Sequence, residues 1–139
     1  MPDYTQDLIR LKNPANIKEA ECASSPYVLL KTFAADAVIK RMIRAGKQVV
    51  PLIRQILADE AEQLPEISLS AYAYILEHVD QAEAARLLKP VFEARLRKPG
   101  PFFVHVAAHA LRGPLGLPTR PLEVVYNKAE LAETLRKLR

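Results

Sequence analysis

The chain has 139 residues, half of them hydrophobic, a net charge of +4, one cysteine and no tryptophan. That length fits one domain, residues 1–139, able to bury a core without staples, and a lone Cys22 excludes an intramolecular disulfide. No leader-like segment and no apolar run of about 18 residues is present, so a cytoplasmic setting without membrane contact is expected.

Tyr4, Leu8 and Leu11 have helical spacing in a short leading segment. Asn13-Pro14 then offers an N-cap and a helix-compatible proline for a stretch reaching about Cys22. Ser25-Pro26 repeats that signal before a long helix expected to run to Ala45, with Gly46 as its stop and Leu30, Phe33, Ala34, Ala37 and Val38 as its core stripe. Val49, Leu52, Ile53, Ile56 and Leu57 follow the period of the next helix, and Pro51 fits its first turn, where no amide needs an intrahelical acceptor.

Pro65 precedes a helix over 66–79 with two apolar stripes, one through Ile67, Ala71, Tyr74 and Ile75, the other through Leu69, Tyr72, Ala73 and Leu76. Such a helix is sandwiched by neighbours. Asp80 and Glu83 have capping-box spacing and open a helix to about Arg97, with Pro90 expected to kink it. Pro99-Gly100-Pro101 separates this from a helix over 102–112. A Pro/Gly-rich linker over 113–126 leads to a last helix over 127–139, with Leu131, Leu135 and Leu138 on one face, expected to cap the open end of a stack.

Charge is segregated along the chain. Lys40, Arg41, Arg44, Lys47 and Arg54 form a stretch without an acid, and Asp59, Glu60, Glu62 and Glu66 follow. The simplest reading places the cations at a helix C-terminus and the acids at a helix N-terminus, where the macrodipole favours those signs.

Val49-Val50-Pro51-Leu52-Ile53, ending in Leu57, recurs 39 residues later as Leu88-Lys89-Pro90-Val91-Phe92, ending in Leu96. A period in this range marks stacked helical repeats. Val104-His105-Val106-Ala107-Ala108-His109-Ala110-Leu111 resembles the second helix of a HEAT repeat, and Val49 to Asp59 resembles the first helix. The resemblance covers residues 26–112 and implies an all-α fold, a short right-handed α-α superhelix. The chain departs from the family in carrying His105 where Arg is usual. HEAT arrays serve mainly as scaffolds, so the resemblance implies a non-catalytic module that binds a partner protein or peptide.

On the 102–112 helix the polar side chains are His105, His109 and Arg112, spaced to share one face. A shift of 35 residues lands on Ser70, Tyr74 and Glu77, and a further 38 on Thr32 and Asp36. In a HEAT stack the second helices line the concave side, so these eight residues form the candidate partner-binding ladder. The plain alternative is a solvated helix face, with Glu77 and Arg112 as an inter-helix ion pair.

His105 and His109 have the i, i+4 spacing of paired metal ligands, but no His-Glu-x-x-His motif is present and a third ligand would have to come from Glu77, His78 or Asp36. Structural histidines are the default. No Gly-rich phosphate loop, nucleophile elbow or Cys-x-x-Cys motif occurs, so no cofactor is expected, and a metal-dependent enzyme using His105 and His109 is the least favoured reading. An alternative partner is nucleic acid, as for HEAT-like glycosylases and RNA-associated solenoids. It would use Lys40, Arg41, Arg44, Lys47, Arg86, Lys89, Arg95, Arg97 and Lys98, and the scarcity of aromatics speaks against base stacking. Open apolar ends of the array also allow self-association.

Overall fold

The computed structural model describes residues 4–20, 26–95 and 101–112, with 129, 132, 133 and 136. Its ordered elements are all helical: α1 (Thr5–Arg10), α2 (Pro26–Ala35), α3 (Ala37–Ala45), α4 (Val50–Glu60), α5 (Glu66–Val79), α6 (Gln81–Arg95) and α7 (Pro101–Leu111). Pro14–Asn16 and Gly46–Val49 are 3-10 turns, and no strand occurs among the described residues. None of the described helices is long and apolar enough to cross a membrane.

The core is organised around α5. Every residue from Ser68 to Leu76 is buried, as two apolar stripes on one helix require. It packs against α3, α4, α6 and α7, while α7 also meets α6 and α2. In an open stack of helix pairs the first and third inner helices stand apart, so direct packing of α2 on α7 closes this assembly on itself.

The expected long helix over 26–45 is two helices. Asp36 takes an extended backbone, and its Oδ1 accepts the Ile39 amide at 2.9 Å, ending α2 and N-capping α3. The reason is positional. Leu29, Leu30 and Phe33 are the buried side of α2, and an unbroken helix would carry that side on through Lys40, Arg41 and Arg44. The break rotates the stripe to Ile39 and Met42, leaving Ala34 and Ala37 exposed and the cations in water. Gly46 stops α3 as expected, with φ +75, a conformation that penalises any other residue.

Asn13 does cap, accepting the Ala15 amide at 3.1 Å, but the helix lasts one 3-10 turn before Glu19 adopts φ +69. Asp80 caps α6 through the Glu83 amide at 3.2 Å. Only half of the capping box forms, because the Glu83 carboxylate turns to Arg86 at 2.7 Å. That hydrogen bond holds the Glu83 carboxyl below its ordinary range. α6 continues through Pro90.

The 39-residue echo has matching burial: Val49 with Leu88 and Ile53 with Phe92 are all fully buried. Its two prolines differ in setting, Pro51 in the first turn of α4 and Pro90 deep within α6. Leu96, Cys22, the linker over 113–126, and Leu131, Leu135 and Leu138 of the expected capping helix lie outside the described residues.

Candidate functional site

The 35-residue register between α5 and α7 brings Glu77 and Arg112 together. Arg112 Nη1 donates both to Glu77 Oε1 and to the His109 carbonyl, so one guanidinium ties α5 to α7 and caps the C-terminal turn of α7. The Glu77 side chain is 5% exposed and that of Arg112 22% exposed. This is a largely buried ion pair, and its Glu77 Oε2 has no hydrogen-bond partner among the described residues.

Three more of the ladder residues, Ser70, Tyr74 and His109, are buried, so they do not line an open face as expected. Ser70 is fully buried and donates to the Glu66 carbonyl at 2.8 Å, so its hydroxyl is used within α5. Tyr74 is buried, its ring 5.6 Å from Phe33 of α2 and 4.3 Å from His78. His109 is buried as well. The physical cause is the closure of α2 over α7, which converts a polar stripe into an internal seam. Thr32 donates to Val28 O at 3.0 Å and Asp36 is committed to its cap, so neither joins the others. The His105 side chain lies outside the described residues.

No group of three or more His, Cys, Asp or Glu side chains among the described residues is arranged to hold a metal. His78, one proposed third ligand, instead brings Nδ1 to 2.8 Å from the Tyr74 carbonyl.

The basic set divides. Arg95 is taken inside: it bonds Glu66 at 2.8 Å and the carbonyls of Ala61 and Leu64 at 3.0 and 3.3 Å, tying α6 to the α4–α5 turn. Arg86 pairs with Glu83. Lys40, Arg41, Arg44, Lys47 and Lys89 are exposed, Arg41 contacting Asp7 at 2.9 Å and Lys47 lying 3.8 Å from Asp80. Arg97 and Lys98 lie outside the described residues.

Two features have no counterpart in the sequence reading. Tyr72 donates from its phenol to the Leu8 carbonyl at 2.5 Å across 64 residues, anchoring α1 to the core helix. Burial, with Glu60 nearby, pushes that phenol above its ordinary pKa. Asp7 with Arg41, and Lys12 with Glu60 at 2.5 Å, complete the attachment of α1.

The second feature is a surface groove between α1 and α4, about 230 Å³, lined by Leu8, Ile9, Leu52 and Ile56 together with Asp59 and the Lys12–Glu60 ion pair. Ile9 is 43% exposed although Leu8 beside it is fully buried. The available signal was Ile9 lying off the Tyr4-Leu8-Leu11 stripe, together with Leu52 and Ile56 at i, i+4 on the outer side of α4.

Comparison with known proteins places no neighbour beside this site: no family model, curated protein or solved structure matches the chain.

Proposed function

We propose that this chain is a non-catalytic protein-interaction module, a closed helical assembly with HEAT-like helix pairing that holds a partner on its outer surface. Matched burial across the 39-residue echo and the Glu77–Arg112 tie at the 35-residue register support a repeated helix pair. The observation that carries the binding reading is Ile9, a large aliphatic side chain in water beside the half-buried Leu52 and Ile56. A groove of this size is below the usual range for cofactor and small-ligand pockets and on the scale of a partner's side chains.

The test is comparative. Affinity purification of the full chain from its native cells, read by mass spectrometry, is run beside Ile9→Ser and beside Arg10→Ser as an exposed control. Loss of one or more proteins with Ile9→Ser alone supports the reading, and identical sets from all three overturn it.

A second reading, nucleic-acid binding, is favoured by Lys40 and Arg44, which are exposed and lack a carboxylate partner among the described residues. Lys40 and Arg44 share one face of α3, and Lys47 follows just after it. About three phosphate contacts predict a salt slope near −3 in log-log form, reduced to about −1 in Lys40→Ala/Arg44→Ala. A slope near zero removes this reading.

A further inference from the structure

We infer that the α1–α4 groove takes an amphipathic helix of a partner protein whose polar flank is rich in lysine and arginine. The inference rests on the interaction-module reading and adds the chemistry of the partner.

Charge and backbone are mismatched at the end of α4. Acids at a helix C-terminus oppose the macrodipole, which places roughly half a negative charge there. The expectation that the acidic run leads into a helix N-terminus holds for Glu66, the first residue of α5, but not for the acids before it. Asp59 and Glu60 occupy the last turn of α4, where no basic residue offsets them, and Glu62 follows in the turn. Glu60 is answered by Lys12. Among the described residues Asp59 receives only the neutral amide of Gln55, at 2.8 Å, and Glu62 stands exposed.

This negative end adjoins the apolar groove. Asp59 lines both the groove and a second depression, of about 330 Å³, which continues past Leu57 to Glu62. Apolar floor and acidic end therefore form one continuous surface. A helix laid along α4 places aliphatic side chains at i and i+4 against Leu52, Ile56 and Ile9. Cations on its flank then meet Asp59 and Glu62 and offset the dipole they aggravate. An acidic helix would bury like charges together, so the surface discriminates by sign as well as by shape.

The test uses the full chain and two labelled peptides of about 14 residues, four turns of helix, with the same leucine face and either a lysine or a glutamate flank. Fluorescence anisotropy should show binding of the lysine peptide and at least about tenfold weaker binding of the glutamate peptide. Ile9→Ser, at an exposed site that leaves helicity intact by circular dichroism, should weaken the lysine peptide about tenfold at any salt concentration. Asp59→Asn/Glu62→Gln should weaken it about fivefold at low salt and hardly at high salt.

Equal affinity for both peptides, or no effect of the Asp59/Glu62 change, overturns the charge assignment while leaving the module reading to the purification experiment. No effect of Ile9→Ser overturns the groove. Dimerisation of the chain that Ile9→Ser abolishes assigns the groove to a second copy and overturns the partner assignment.

Discussion

The α5–α7 seam and the α1–α4 groove arise from the same helical spacing and use it in opposite ways. In the seam, Ser70, Glu77 and Arg112 bond within the chain. In the groove, Leu52 and Ile56 at i, i+4 stay partly in water beside Ile9. Polar character is therefore a poor guide to the binding face of a small helical array, because a polar side chain that finds a partner within the chain buries readily. Apolar side chains left in contact with water are the more informative departure.

The comparison breaks first at Arg112. If the seam is internal, Arg112→Ala leaves the Glu77 carboxylate buried without its cation and should cost about 3 kcal/mol in urea unfolding. Glu77→Leu/Arg112→Leu, which removes both charges, should recover most of that loss. A cost under about 1 kcal/mol for the single change is the behaviour of a solvated pair and would return the seam to the surface.

The contrast also explains which parts were legible beforehand. Helix positions were readable because Gly46, Pro51, Pro65 and Asp80 act through local backbone chemistry, and α5 because two stripes on one helix demand neighbours on both sides. The break at Asp36 was harder to read, since the residues around it are all compatible with helix. What decides it is the tertiary cost of turning Lys40, Arg41 and Arg44 inward. Spacing identified the seam residues and even paired Glu77 with Arg112, but spacing carries no information about which helix closes over them. The groove was missed because it needs α1 beside α4, a contact made by residues about 48 apart, as in Lys12 with Glu60.

That attachment of α1 supplies the next prediction. Tyr72→Phe removes the phenol that ties α5 to the Leu8 carbonyl, which keeps the Leu11 amide at 3.2 Å, and should destabilise by about 1 kcal/mol. The phenol's pKa is raised in the folded state, so the folded chain retains its proton where the unfolded chain loses it. Its contribution is complete below the ordinary value of 10.0 and declines as pH rises beyond it toward the folded-state value. The wild type should therefore lose stability above about pH 10 more steeply than Tyr72→Phe. Parallel alkaline limbs would show that Tyr72 is not held as described.

A smaller effect tests the seam side for waste. The Ser68 hydroxyl is buried on α5 with no hydrogen-bond partner among the described residues, unlike Ser70 two residues on. Ser68→Ala should raise stability by up to about 1 kcal/mol, since alanine removes the desolvated hydroxyl and favours the helix. A loss measured by thermal unfolding would mean that the hydroxyl has a partner after all.

The smallest effect is the most discriminating, because stability and binding should move in opposite directions. Asp59→Asn keeps an oxygen for the Gln55 amide and removes one charge from the wrong end of the α4 dipole, so the free chain should gain about 0.3–0.5 kcal/mol. The same change takes from the groove a carboxylate that a basic helix would meet, so the lysine peptide should bind less well. A residue that costs the fold a little and serves the bound state is how a binding surface departs from a surface shaped by stability alone. If Asp59→Asn instead lowers stability, the carboxylate belongs to the scaffold, and the electrostatic distinction between groove and seam disappears.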